Sequence, residues 1–130
     1  MNVSVVITSS REPRTIGLAL KTILQQDSSR IKEIMVVAPD KETLAAAKKV
    51  TTNPKVKFLK DPGKGKPTAL NLAFQKASGE ILVLTDGDVY LGKNSLTNLL
   101  GLLEDPGIGG ISGRPISTNS RNTLLGFWSC

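Results

Sequence analysis

Two carboxylates separated by one glycine, Asp86-Gly87-Asp88, follow directly after an apolar segment at residues 81–84. A short run of Ile, Leu and Val is typical of a strand buried in a parallel sheet. Because an unpaired carboxylate is costly to bury, both acids are expected where this strand leaves its sheet. Paired carboxylates suit Mg²⁺ or Mn²⁺, ions that commonly bridge to phosphates. Asp86 and Asp88 are therefore candidate metal ligands, and the alternative is a surface turn, since Asp-Gly is also a frequent turn dipeptide.

A second group of polar residues follows the first apolar segment of the chain. Thr8, Ser9 and Ser10 are small hydrogen-bonding residues, and Glu12 adds one acid suited to a nucleobase or a ribose. The alternative use of these side chains is turn formation and helix capping, which Ser and Glu also perform.

A third group lies in the glycine-rich loop 61–66, which contains Lys64 and Lys66. Pro67 predicts that a helix begins here, and the N–H groups of a helix N-terminus favour anions. The alternative is a flexible solvated turn.

The predicted elements bring these three groups to one edge of a sheet. Four successive strand–helix units indicate an α/β domain with a mainly parallel sheet and helices on both faces. In such sheets ligands bind beyond the carboxyl ends of the strands, where the strand order reverses. The predicted strands are 3–8, 31–38, 56–60 and a fourth that ends at Asp86, and the helices begin at Pro13, after Asp40 as N-cap, at Pro67 and near Leu96.

The end of the chain is less regular. Residues 108–116 resemble a strand interrupted by glycines. The tail at 122–130 is apolar, which predicts either that the natural chain continues or that a last helix docks on the core.

Composition narrows the classes of function. A chain of 130 residues with 22% charged residues is typical of one globular domain. Histidine, the commonest general base and zinc ligand, is absent. The net charge of +6 is compatible with a phosphate-rich ligand or an anionic membrane face, whereas dispersed lysines and few aromatic residues disfavour nucleic acid. One cysteine, no apolar run of 18 residues and no signal-like start predict a cytoplasmic protein.

Familiar nucleotide-binding motifs do not fit this sequence. The turn after the first strand has no glycine before Gly17, which excludes a dinucleotide-binding fingerprint and the glycine-rich loop of a nucleotidyltransferase. A P-loop would need glycine where Lys60 stands, and an EF-hand would need Asp or Asn where Tyr90 stands.

The motifs taken in order resemble the family 2 glycosyltransferases, which have the GT-A fold, a relative of the Rossmann fold. No single motif is decisive, but their order and spacing agree with the family over about residues 3–116. The matching segments are 5–12 (VVITSSRE), 34–37 (IMVV), 65–71 (GKPTALN) and 77–88 (ASGEILVLTDGD).

The resemblance implies a nucleotide-diphosphate sugar, usually a UDP-sugar, held with Mn²⁺ or Mg²⁺. It also implies that the first and fourth strands are neighbours, so that Ser9 and Asp86 face each other across one crevice. The nucleotide-sugar residues that it implies are Thr8, Ser9, Ser10, Glu12, Asp40, Lys66, Asp86 and Gly87, with Asp86 and Asp88 as metal ligands.

Two departures from the family pattern affect the expected function. The family usually has an acid directly after the second strand, but this chain has Ala38-Pro39, with Asp40 as the candidate substitute. The family's acceptor-binding half and catalytic base lie beyond the donor half, so no catalytic base is assigned. We therefore expect residues 1–130 to be a single, truncated nucleotide-sugar-binding domain. The alternative is a non-catalytic nucleotide-binding or interaction module.

The expected partners follow from the same resemblance. They are the nucleotide-diphosphate sugar and an acceptor, a sugar or a lipid, that the sequence does not identify. A missing second half would expose an edge that favours self-association. The basic charge and the habit of the family are compatible with a peripheral site on the cytoplasmic face of the membrane.

Overall fold

The computed structural model describes residues 2–27 and 29–111, and it confirms all four predicted strands and the presence of all four predicted helices. By its contacts the chain divides into two compact units, 1–94 and 95–130. The first contains the sheet and three helices, and the described part of the second contains the fourth helix. The single-domain prediction for 1–130 stays a prediction. The elements are β1 Val3–Thr8, α1 Ile16–Leu24, β2 Ile31–Ala38, α2 Lys41–Lys48, β3 Val56–Lys60, α3 Lys66–Lys76, β4 Ile81–Asp86 and α4 Ser95–Leu102.

The four strands form one parallel sheet in the order β3-β2-β1-β4. The chain adds β2 and β3 on one side of β1 and then returns through α3 to place β4 on the other side. In this register Thr8 lies between Val37 and Asp86. The expectation that the first and fourth strands are neighbours is confirmed, and the strand order reverses at β1, where ligands of such sheets bind.

Both faces of the central strands are covered. Every residue of β1 is buried, and every residue of β2 except Lys32. On one face, Ala69 and Ala73 of α3 pack against Val6 and Met35. Central strands that are buried along nearly their whole length are typical of a parallel sheet between layers of helices, so the predicted α/β class is confirmed.

The buried carboxylate of Glu33 links several elements at the amino-terminal ends of the strands, the end of the sheet opposite to the carboxyl ends of the strands. Glu33 accepts hydrogen bonds from Ser4 Oγ at 2.6 Å and from the N–H of Ser78 at 2.7 Å, and it pairs with Lys57 Nζ at 2.9 Å. Burial acts to raise the pKa of Glu33, but these hydrogen bonds outweigh it and lower the pKa to about 2. Glu33 therefore joins β1, β2, β3 and the loop before β4.

One helix boundary and one predicted strand differ from the predictions. Residues 13–15 form a turn, and α1 begins at Ile16 after its N-cap Thr15, because the carbonyl of Glu12 accepts the N–H groups of both Thr15 and Ile16. The strand predicted at 108–116 is not seen in its described part, 108–111, and 112–116 and the tail 122–130 lie outside the described residues. Among the described helices, none has the length and apolarity needed to cross a membrane.

Candidate functional site

A cavity of about 600 Å³ lies at the carboxyl ends of the strands. Seven of the eight predicted nucleotide-sugar residues line it, as do both predicted metal ligands, whereas Gly87 does not. All of these residues belong to the first compact unit. The lining consists of residues 8–12 after β1, Pro39 and Asp40 after β2, Asp61, Gly63, Gly65, Lys66 and Ala69 after β3, and Asp86 and Asp88 at the end of β4.

Asp86 is held between two side chains from other elements. Thr8 Oγ1 donates a hydrogen bond to Asp86 Oδ1 at 3.2 Å, and Lys66 Nζ lies 2.6 Å from the same oxygen. Both charged side chains are roughly half-exposed, so their ion pair adds little to stability. Its consequence is positional, because it keeps a carboxylate and an ammonium group together on the cavity wall.

Gly87 is buried because the turn after β4 packs directly on the turn after β1. Its N–H donates to the carbonyl of Thr8 at 3.0 Å. A Cβ atom at position 87 would overlap Ser9 Oγ and lie 2.5 Å from Ser9 Cβ. Ser9 Oγ in turn donates to Glu12 Oε1 at 2.8 Å. Gly87 therefore acts by allowing close approach of two turns, and Ser9 and Glu12 brace the loop after β1.

The carboxylate of Asp40 is used within the protein. Its Oδ2 accepts the N–H of Thr43 at 3.1 Å, which caps α2, and Thr43 Oγ1 at 2.6 Å. Its Oδ1 accepts the N–H of Arg11 at 2.9 Å. Burial acts to raise the pKa of Asp40, but these hydrogen bonds outweigh it and lower the pKa. The N-cap prediction is confirmed, whereas contact of Asp40 with a nucleotide stays a prediction.

The loop after β1 has a strained backbone that Asp40 stabilises. Arg11 has a φ of +54°, a conformation that non-glycine residues seldom adopt and that is enriched at functional sites. The next N–H, that of Glu12, donates to Thr43 Oγ1 at 3.0 Å. Two hydrogen bonds to the start of α2 therefore define the shape of this side of the cavity.

The loop before α3 contributes one of its two predicted lysines. Lys66 lines the cavity, whereas Lys64 is exposed and does not. Gly65, with a φ of +102°, is the N-cap of α3, so the first turn of this helix adjoins the cavity. N–H groups at a helix N-terminus attract anions, and here an ammonium group stands beside them.

Six lining residues were not among the predicted site residues: Arg11, Pro39, Asp61, Gly63, Gly65 and Ala69. Ligands of such sheets bind beyond the carboxyl ends of the strands. Applied to the second and third strands as well, this rule would have indicated residues that follow those strands. Asp61 follows β3 directly, as Asp86 ends β4.

The cavity is acidic although the chain is basic. Five carboxylates and two cationic groups line it, a formal excess of three negative charges against +6 for the whole chain. A diphosphate would add further negative charge, so the lining suits a phosphate ligand only together with a cation. Among the described residues, no group of three or more acidic or cysteine side chains could hold a metal ion. Asp86 and Asp88 fit an ion that takes its other ligands from phosphate and water, as Mg²⁺ commonly does.

The sequence profile of glycosyl transferase family 2 matches residues 4–126. The chain belongs to this family. Among curated relatives, it is 28% identical over 129 residues to an N-acetylglucosaminyltransferase of Bradyrhizobium diazoefficiens, covering 95% of this chain and 27% of that protein. It is 25% identical over 121 residues to an N-acetylglucosaminyltransferase of Bradyrhizobium elkanii, covering 89% of this chain and 66% of that protein. This member of the family thus spans about a quarter of the length of the first relative and about two-thirds of the length of the second.

Solved structures with the same fold include two of S. aureus TarS 1–349. The complex with UDP-GlcNAc has a TM-score of 0.66 at 23% identity, covering 91% of this chain and 37% of that one. The complex with UDP has a TM-score of 0.68 at 23% identity, covering 91% and 38%. At this level of identity the likeness establishes the fold, and the GT-A-like prediction is confirmed.

Proposed function

We propose that this family 2 chain is the donor-binding domain of a glycosyltransferase. It binds a nucleotide-diphosphate sugar in the cavity, together with Mn²⁺ or Mg²⁺, for transfer of the sugar to an acceptor. The observation that carries the proposal is the convergence of seven predicted residues, from the ends of all four strands, on one cavity of about 600 Å³. That volume lies within the usual range for small-molecule sites.

The charges of the cavity suggest where the diphosphate lies. Lys66 and the first turn of α3 supply the positive side, and Asp86 and Asp88 supply oxygen ligands for a cation on the other. When bound, that cation would neutralise negative charge on the diphosphate as the sugar departs. Thr8 and Lys66 then position Asp86, since both contact its Oδ1.

The donor to test first is UDP-N-acetylglucosamine. Both curated relatives are N-acetylglucosaminyltransferases, and one TarS structure holds UDP-GlcNAc. A cytoplasmic location, an unidentified sugar or lipid acceptor and contact with a membrane surface complete the proposal. In this family the catalytic base is expected beyond the donor half, so the proposal assigns no catalytic base to residues 1–130.

Thermal unfolding with nucleotides tests donor binding directly. UDP at about 100 times its dissociation constant should raise stability by about 2.7 kcal/mol. For this chain length that is a rise in Tm on the order of 10 °C. GDP, TDP and CDP are compared in parallel, each with Mn²⁺ and with a chelator.

Asp88→Asn should remove most of the Mn²⁺-dependent rise in Tm while leaving the Tm without ligand unchanged, because Asp88 is exposed. Glu104→Gln, an equal loss of charge outside the cavity lining, is the matched control. If no nucleotide shifts the Tm of the wild-type chain, with or without metal, donor binding is refuted.

A non-catalytic nucleotide-binding module is the second candidate, favoured by the absence of an assigned catalytic base. Release of UDP from UDP-N-acetylglucosamine, measured with and without candidate acceptors, separates the two. Sugar transfer or metal-dependent donor hydrolysis, lost in Asp88→Asn, supports an enzyme. Nucleotide binding without either reaction supports the module.

A further inference from the structure

Lys66 has one partner in the structure and a different partner in the proposed complex. Its Nζ lies 2.6 Å from Asp86 Oδ1, and Thr8 Oγ1 donates to the same oxygen at 3.2 Å. Asp86 is a candidate metal ligand, whereas the donor-binding proposal assigns Lys66 to the diphosphate. A cation that binds Asp86 Oδ1 must compete with the ammonium group, because like charges repel strongly at contact distance.

The two candidate metal ligands therefore differ in how they meet a cation. Asp88 is exposed and lines the cavity, whereas the charge of Asp86 is balanced by an ammonium group of the same chain. In the structure, the positive charge at Asp86 is that of Lys66.

The ion pair between Lys66 and Asp86 is open to exchange. The side chain of Lys66 is 57% exposed and that of Asp86 is 43% exposed. Ion pairs with this access to water contribute little to stability. A lysine side chain is long and flexible, and its ammonium group can donate in several directions. Lys66 can therefore leave Asp86 at little cost when another anion is within reach.

The fold offers the same side chain a second anionic partner. Lys66 is the first residue of α3, directly after the N-cap Gly65, and both residues line the cavity. The N–H groups in the first turn of a helix attract phosphate groups. A diphosphate at this helix end would lie beside the backbone that carries Lys66, and its charge would draw the ammonium group away from Asp86.

We propose that Lys66 is an exchangeable counterion, which balances Asp86 before the ligands bind and moves to the diphosphate when donor and metal ion bind together. This inference rests on the donor-binding function proposed above. Lys66 positions Asp86 until that exchange, and Thr8 holds the carboxylate afterwards. A metal ion alone has to displace Lys66 and binds weakly. When a diphosphate is present, Lys66 gains a new partner as it loses the old one.

Removing the ammonium group should change the two affinities in opposite directions. Lys66→Met keeps an unbranched side chain of good helix propensity at an exposed position. Because nothing then competes for Asp86 Oδ1, the dissociation constant for Mn²⁺ alone should fall by about fivefold. Because the diphosphate loses its ammonium partner, the dissociation constant for UDP in saturating Mn²⁺ should rise by about tenfold.

Two titrations of the 130-residue chain measure these constants. Electron paramagnetic resonance of free Mn²⁺ gives the metal affinity without nucleotide, and calorimetry gives the UDP affinity in saturating Mn²⁺. Both are performed in about 0.15 M salt, where exposed charges farther apart than about 8 Å are largely screened. The Tm and the circular dichroism of each variant show that it is folded.

Two control variants separate direct contact from net charge. Lys64→Met removes the same charge two residues earlier, from an exposed side chain outside the cavity lining, and should leave both dissociation constants unchanged. Lys66→Arg keeps a cation at the site and should not tighten the binding of Mn²⁺.

The outcomes distinguish this inference from donor binding. If the wild type binds UDP but a folded Lys66→Met binds Mn²⁺ no more tightly than the wild type, Lys66 does not compete with the metal ion and donor binding stands. If Lys66→Met weakens both ligands, its role is structural, and if Lys64→Met has the same effects, they arise from net charge. Either result overturns the exchange. If the wild type binds no nucleotide, the donor-binding proposal fails, and the exchange fails with it.

Discussion

The packing of Gly87 on Ser9 makes a quantitative prediction about the turn that carries the two aspartates. In Gly87→Ala the new methyl group would overlap Ser9 Oγ and lie 2.5 Å from Ser9 Cβ. Since Ser9 is 6% exposed and its hydroxyl is bonded to Glu12, it has little room to move. Overpacking of this kind costs about 1–3 kcal/mol. The lower entropy of the unfolded alanine chain returns about 0.4–1 kcal/mol.

We therefore expect Gly87→Ala to lose about 1–2 kcal/mol of unfolding free energy, measured by urea denaturation followed by circular dichroism. The turn must shift to relieve the overlap, which also displaces Asp88. Metal-dependent UDP affinity should fall by about tenfold, the effect of about 1.4 kcal/mol. Gly101→Ala is the control, because a Cβ atom there meets no neighbour within 4 Å in helix α4. Alanine at that site should stabilise the chain by up to about 1 kcal/mol.

A double variant identifies the cause. Ser9→Gly removes the two Ser9 atoms that the new methyl group would overlap. Ser9→Gly combined with Gly87→Ala should therefore be more stable than the sum of the single effects by about 1 kcal/mol. If the two changes are additive within about 0.5 kcal/mol, or if Gly87→Ala alone is as stable as wild type, steric contact with Ser9 is not the reason for the glycine.

Two further predictions concern the carboxylates that hold the sheet and the loop. Because the folded pKa of Glu33 is lowered to about 2 from 4.5, its stabilisation is complete above pH 4.5 and is lost as the pH falls toward 2. This stabilisation amounts to about 3 kcal/mol. In Glu33→Gln, the urea unfolding midpoint should therefore fall less between pH 4.5 and pH 2 than it does in the wild type. An equally steep fall in the variant would contradict this. Asp40→Ala should cost about 1–2 kcal/mol, because it uncaps α2 and releases the N–H of Arg11. A variant as stable as wild type, in the same urea assay, would show that the cap contributes nothing.

Much of the fold could be predicted from the sequence because its signals are local. Each of the strands β1 to β4 contains a short apolar segment, and Asp40 and Pro67 mark the beginnings of two helices. The Asp pair could be placed at the mouth of the sheet because two carboxylates cannot be buried cheaply. The family resemblance added the neighbouring positions of β1 and β4, which no local pattern contains.

The functions of individual acids depended on contacts between distant residues. Asp40 and Arg11 are 29 positions apart, and only the folded loop shows that the carboxylate of Asp40 is occupied by the N–H of Arg11. The sequence predicted that Asp40 caps a helix, but it did not show that the same carboxylate also accepts the N–H of Arg11. The sheet brings the ends of β2 and β3 together, so that Asp61 lines the same cavity as Asp40.

The sequence by itself therefore determined the order of elements, the class of the fold and the edge of the sheet at which the candidate site lies, because periodicity and the cost of burying charge act along the chain. Tertiary structure alone decided which acids remain able to bind a ligand and why Gly87 must lack a side chain. Those properties depend on hydrogen-bond partners and van der Waals contacts from other strands, and a carboxylate that is already bonded is chemically different from one that is free.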